Sequence, residues 1–138
     1  MKNKPMVKAL WYTPGINIPL RRRVHDGLMN KFGGNLKYLI IGGAALNHDV
    51  EKCLKQIEFP YTVGYGMTEC GPILGYEHWS EFKERSCGKA VDRMQVAVDS
   101  PNQHKVVGEI LVKGDNLMTE YYKNPEASKE TLKDGWLL

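Results

Sequence analysis

Tyr38-Leu39-Ile40-Ile41-Gly42-Gly43 is a short apolar run that stops on two glycines, and Tyr61-Thr62-Val63 begins a second strand that runs into Gly64-Tyr65-Gly66. Runs that are apolar throughout, rather than alternating, suit strands buried on both faces of a parallel sheet. Between them Asn47 is a good N-cap, and Asp49 and Glu51 fall at the positive end of a helix. Val50, Cys53, Leu54 and Ile57 form one face of that helix, and Pro60 ends it. Strand, helix, parallel strand is a βαβ crossover. The fold class expected is therefore α/β.

Upstream, residues 1–16 read as an irregular or short helical lead-in ending near Pro14-Gly15. A helix is expected from about Pro19 to Phe32, with Leu20, Val24, Leu28 and Phe32 as its apolar stripe and Gly33-Gly34 as its stop. Arg21, Arg22 and Arg23 fall mostly off the stripe and read as a solvated face. Downstream, from about Ser86, the grammar changes to alternation. Met94, Val96 and Val98 interleave with Gln95, Ala97 and Asp99, and a second alternating run covers Glu109–Lys113. Ser100-Pro101-Asn102 is a turn signal between them, so an antiparallel hairpin with a longer loop is predicted. Leu117 to Tyr122 is expected as another strand. Asn124-Pro125-Glu126 reads as cap, first helical residue and favourable acid for a short helix to about Leu132, followed by an Asp134-Gly135 turn. The chain thus divides into an α/β part over 1–80, carrying a parallel βαβ unit, and a smaller antiparallel β-rich subdomain over 81–138.

The 138 residues carry 19 basic and 16 acidic side chains, a net charge of +3. With no basic stripe interleaved with aromatics, nucleic acid is not an expected partner. Cys53, Cys70 and Cys87 are odd in number and include no C-x-x-C pair, which argues against a disulfide framework or a zinc site. A reducing cytoplasm is the expected location. The N-terminus has no apolar core of a signal peptide, and no stretch approaches the ~20 apolar residues of a transmembrane segment.

Chemistry concentrates at the two glycine turns. Gly42-Gly43-Ala44-Ala45 and Gly64-Tyr65-Gly66-Met67-Thr68-Glu69 lie at the carboxyl ends of adjacent parallel strands, where ligands of open α/β sheets bind. Small residues there admit a flat ring close to the backbone. Tyr65 offers an aromatic face, Thr68 a hydroxyl for a phosphate, and Glu69 a hard oxygen for Mg²⁺. Each has a plainer reading: a turn, a core aromatic, a solvated carboxylate. Their meeting on one rim is what raises the ligand site. Cys70 and Cys87 read as packing residues, because nothing marks a paired base.

Gly64–Glu69 resembles the Y-G-x-T-E core motif of the acyl- and aryl-adenylate-forming superfamily, which includes acyl-CoA synthetases, luciferases and peptide-synthetase adenylation domains. Gly42-Gly43-Ala44-Ala45-Leu46 resembles that family's G-G-A-x-L segment upstream. Gly88-Lys89-Ala90 resembles its G-x-P/A segment, and Gly108-Glu109-Ile110-Leu111-Val112-Lys113-Gly114 its G-E-I-x-x-x-G strand. Tyr121-Tyr122-Lys123-Asn124-Pro125-Glu126-Ala127-Ser128 is similar to G-Y-x-x-x-P-E-A-T, departing from it at Glu120, and Asp134-Gly135-Trp136 to D-G-W. The match runs over about residues 33–138, and its phrasing is most similar to long-chain fatty acyl-CoA ligases.

The resemblance implies an enzyme that activates a fatty acid with ATP as acyl-AMP and passes it to coenzyme A, with Mg²⁺ as cofactor. It implies that Gly43, Ala44, Ala45, Tyr65 and Gly66 flank the adenine, and that Thr68 contacts the α-phosphate. Glu69 would hold the metal, with Thr68 and Glu69 as the catalytic pair. Gly64, Gly66 and Met67 would lie near the acyl group. Glu109 is read as a structural strand carboxylate. The family's Ser/Thr/Gly-rich phosphate loop ending in Lys is not in these residues, and the chain stops before the expected T-G-D. A central fragment, inactive by itself and self-associating as a dimer, is therefore expected. The rival readings are an aryl-CoA ligase or adenylation domain, or a non-catalytic binding module. Peripheral membrane contact of the parent stays open.

Overall fold

The computed structural model describes Ala9, residues 11–15 and residues 17–138, so most of the lead-in expected over 1–16 lies outside the described residues. Helix α1 (Asn17–Lys31) precedes strand β1 (Leu39–Ile41), helix α2 (His48–Gln56) and strand β2 (Tyr61–Val63). β1 and β2 pair in parallel, Leu39 with Tyr61 and Ile41 with Val63, so the βαβ unit forms where the glycine-ended runs place it. The Asn47 side chain accepts from the Asp49 and Val50 amides at 2.9 and 3.3 Å, satisfying two free donors at the start of α2.

Pro60 does not end α2. The helix closes earlier, with Glu58 at φ 54° and amide bonds from Glu58 to the Lys55 carbonyl and from Phe59 to the Leu54 carbonyl. This is a Schellman ending with a glutamate in the left-handed position that glycine usually fills. Pro60 begins the ladder instead, its carbonyl accepting the Leu39 amide at 2.8 Å.

Trp11, Ile57, Phe59, Tyr61 and Val63 form the first core, with Leu20, Leu28, Met29, Leu39, Ile41, Cys53 and Leu54 packed against it. The helices therefore cover one face of the sheet. The expectation that β1 is buried on both faces fails: Ile40 and the preceding Tyr38 are exposed, whereas its partner β2 is buried throughout, Thr62 included, so the second face is covered at β2 and open at β1. Val24 and Phe32 are exposed as well. A spacing of four overshoots a helical turn by about 40° per step, so no single face holds all four stripe residues. Arg21 is not simply solvated: its guanidinium lies 5.6 Å from the centre of the Trp11 ring. Glu51 is buried rather than merely complementing the helix dipole, and its carboxylate accepts the Arg85 amide at 2.9 Å.

The chain then makes a small antiparallel sheet that the sequence reading did not foresee, from β3 (Tyr65–Gly66), β4 (Ile73–Tyr76) and β5 (Lys89–Ala90). β6 (Met94–Asp99) and β7 (Glu109–Gly114) form the expected hairpin, in register from Met94 opposite Gly114 to Asp99 opposite Glu109. Helix α3 (Pro125–Thr131), capped by Asn124, leads to β8 (Leu132–Lys133) and β9 (Trp136–Leu137), and the sheet order is β6-β7-β9-β8. Asp134 and Gly135, both at positive φ, supply the tight turn that joins β8 to β9. The strand expected over Leu117–Tyr122 is absent. Its backbone donors serve other partners: the Met118 amide reaches the Glu69 carbonyl, and the Tyr121 amide reaches Ser128 Oγ at 2.8 Å. The second core gathers Cys70, Leu74, Met94, Val112 and Leu137.

Candidate nucleotide site

The two glycine turns meet. A side chain on Gly42 would stand 3.3 Å from the Gly64 carbonyl, so the strand ends approach as closely as backbones comfortably can. Gly43, Ala44 and Ala45 are exposed along this rim, and Gly64, Tyr65 and Met67 are half-buried beside it. Gly66 is needed for another reason: a Cβ there would collide with the Pro72 carbonyl, where β3 crosses β4.

After Met67 the chain makes a single 3₁₀ turn, Thr68–Cys70, closed by the Cys70 amide to the Met67 carbonyl at 3.0 Å. Cys70, fully buried in the second core, anchors this turn and leaves Thr68 exposed and Glu69 half-buried. Burial pushes the Cys70 thiol above its usual range, with the Glu69 charge adding to the effect, which suits packing rather than nucleophilic chemistry.

Glu69 is clamped. Its Oε1 accepts the Tyr121 hydroxyl at 2.8 Å, and its carbonyl accepts the Met118 amide at 2.7 Å. Its own backbone N–H and the Tyr121 hydroxyl together hold its carboxyl below the ordinary range, and the same bond raises the Tyr121 phenol. Tyr121 is the site residue that sequence reasoning missed. It lies 52 residues from Glu69, and the only signal was its place in the segment leading to Asn124-Pro125.

Among the described residues, no group of three or more His, Cys, Asp or Glu side chains could hold a metal by itself. One carboxylate is nonetheless a fit for Mg²⁺, which commonly takes one or two carboxylates together with substrate phosphates. Tyr65, Met67, Ile110 and Leu137 share a cleft of about 330 Å³ with Glu109 and Leu138. A larger cleft of about 450 Å³ lies between α1 and the end of α2, and it holds none of the expected site residues.

A close-packed glycine rim beside an exposed threonine and a half-buried glutamate lies at strand ends, where α/β folds take their ligands. The chain belongs to the AMP-binding enzyme family, whose model matches residues 5–122. Long-chain-fatty-acid–CoA ligase 4 of Saccharomyces cerevisiae is 34% identical over 115 residues, covering 75% of this chain and 16% of the ligase. 4-Coumarate-CoA ligase 1 of Narcissus pseudonarcissus is 31% identical over 117 residues, covering 75% of this chain and 21% of that protein. The fold matches o-succinylbenzoate coenzyme A synthetase of Bacillus subtilis, solved in complex with ATP and magnesium ion, with a TM-score of 0.61 and 22% identity over 80% of this chain and 26% of that one. The chain spans 16–21% of the length of these two curated relatives. Among the described residues, no helix is long and apolar enough to cross a membrane.

Proposed function

We propose that this chain is the adenylate-cradling stretch of an ATP-dependent, AMP-forming ligase that converts a long-chain fatty acid to acyl-AMP and then to acyl-CoA. The observation that carries the reading is the pinned Thr68–Cys70 turn, which presents Thr68 and Glu69 from the end of the Gly42–Gly64 rim. Gly43, Ala44, Ala45, Tyr65 and Gly66 flank the adenine, and the Thr68 hydroxyl donates to the α-phosphate. Glu69 is the carboxylate that holds Mg²⁺, which when bound neutralises phosphate charge. Gly64, Gly66 and Met67 face the acyl group. The substrate carboxylate attacks the α-phosphorus, pyrophosphate leaves, and the coenzyme A thiol later displaces AMP. Residues 1–80 supply the rim and residues 81–138 a β-rich subdomain behind it. The similarity to the yeast fatty-acid ligase supports the acyl substrate, and the similarity to 4-coumarate-CoA ligase favours an aryl acid as the second reading. The location is cytoplasmic, with contact at a membrane surface for a fatty substrate.

By itself the chain makes no acyl-CoA and binds ATP no tighter than about millimolar, because a stacked base contributes roughly 1–3 kcal/mol and millimolar binding needs about 4. It self-associates as a dimer through the exposed apolar side chains Tyr38 and Ile40 at β1. Glu69→Gln in the parent ligase tests the site: ATP–pyrophosphate exchange should fall by about two orders of magnitude or more, as loss of a metal-positioning group can cause. Exchange within about threefold of wild type would remove Glu69 from the metal site.

A further inference from the structure

One segment from late in the chain holds the Thr68–Cys70 turn. The Asn116 side chain donates through Nδ2 to the Cys70 and Ile73 carbonyls, and the Met118 backbone amide donates to the Glu69 carbonyl. These bonds fix the backbone of the turn. Among the described residues, the side chain that reaches the carboxylate itself is Tyr121, its hydroxyl 2.8 Å from Oε1, beside the bond from Glu69's own backbone N–H.

Tyr121 is in turn placed by the start of α3. Its amide donates to Ser128 Oγ, and the Ser128 hydroxyl donates to the Asn124 carbonyl at 2.8 Å. The ring is half-buried and lies outside both cores. Its neighbour Tyr122 is 84% exposed and makes no comparable bond among the described residues. A half-exposed glutamate otherwise divides its time among several rotamers, and ordering it costs free energy each time a ligand binds. A hydrogen bond made beforehand removes part of that cost, as partners behind metal-binding carboxylates do.

We propose that Tyr121 is the positioning residue of Glu69, its hydroxyl holding the carboxylate in a single orientation so that Thr68 and Glu69 offer a preset pair to a phosphate-bound divalent cation. The proposal rests on the reading of Glu69 as a cation ligand, and its test separates the two. In the ¹³C,¹⁵N-labelled chain, two signals are followed. One is the titration of the Glu69 side-chain carboxyl, and the other is the broadening of the Thr68 and Glu69 amides by Mn²⁺. In Tyr121→Phe the Glu69 titration moves to higher pH, and the Mn²⁺ concentration that halves the Thr68 signal rises about tenfold. The Leu74 and Val112 amides stay in place, and Tyr122→Phe changes nothing. In the reciprocal Glu69→Gln variant, the Tyr121 phenol titrates at lower pH than in wild type. An unchanged Glu69 titration in Tyr121→Phe, with Mn²⁺ broadening also unchanged, overturns the proposal. Wild-type amides that ignore Mn²⁺ while the Glu69 titration still moves in Tyr121→Phe leave the hold by Tyr121 standing, and instead remove Glu69 as a cation ligand.

Discussion

β1 and β2 are paired three-residue strands, whereas β6 and β7 pair over six residues each and β7 carries β9 on its other side. In the parallel pair, the helices cover one face, and on the other Thr62 of β2 is buried while Tyr38 and Ile40 at β1 are exposed. The antiparallel sheet needs only one buried face, and it buries Val112 and Leu137 completely there. The difference teaches that the two kinds of strand write their surroundings into sequence differently. A parallel strand is apolar on both sides because crossovers cover both, so its composition describes neighbours that are not local. A hairpin's alternation describes a core that its own continuation supplies.

Four measurements break or sharpen this contrast. The largest effect belongs to the second core: Leu74→Ala, at a side chain 1% exposed, should destabilise the chain by about 2–5 kcal/mol in urea unfolding. A cost under about 1 kcal/mol would mean that this core collapses around the gap and is no tighter than the first. Next comes the polar anchor of the parallel half. Glu51→Ala removes the acceptor of the Arg85 amide and should cost about 1.5–3 kcal/mol, with faster hydrogen exchange at Arg85. Unchanged exchange at Arg85 would show that the 83–86 segment is held by something else.

A third effect appears only in alkali. Burial, aided by the charges of Glu51 and Glu84, pushes the Tyr61 phenol from its ordinary 10 up to about 12. The folded state therefore keeps the proton that the unfolded chain releases. That contribution is complete below pH 10 and is lost as pH rises from 10 through about 12. Tyr61→Phe should flatten the decline in stability across this window, and an equally steep decline in the variant would exclude Tyr61 as its source. The smallest change in stability is expected at exposed Ile40 in β1: Ile40→Ser alters it by no more than about 0.5 kcal/mol. The same substitution should shift light scattering at tens of micromolar from dimer toward monomer. A wild-type chain already monomeric there would remove the self-association reading.

The parts of the fold legible in the sequence are those with local causes. Asn47 caps α2, Asn124-Pro125 starts α3, and the alternation of Met94–Asp99 sets the hairpin, each by chemistry within a few residues. What escaped depends on distant partners. β3 and β5 are two-residue strands that exist only through pairing with β4, and β3 meets it with a register shift at Tyr65/Gly66. Leu117–Tyr122 has strand-like composition, but its donors go to Glu69 and Ser128 rather than to a ladder. Glu51 looked like a helix-dipole charge because nothing nearby in sequence shows that Arg85 will fold over it. The candidate site divides in the same way. Thr68 and Glu69 stand out in their own motif, whereas the bond to Tyr121 is a property of the fold.

That bond also sets an order in time. Translation adds about 5–20 residues per second, so with 52 residues between the partners, Tyr121 is made roughly 3–10 s after Glu69. For most of that interval the nascent Thr68–Cys70 turn has neither its bonds from the Asn116 side chain and the Met118 amide nor its phenol. The strands of the parallel unit are all synthesised before it. A ribosome stalled with residues 1–110 exposed should carry the glycine rim without a fixed Glu69, and one stalled beyond α3 should carry both. The fixed orientation of Glu69 then arrives as a discrete late event of synthesis, when the start of α3 folds and brings Tyr121 down onto the turn.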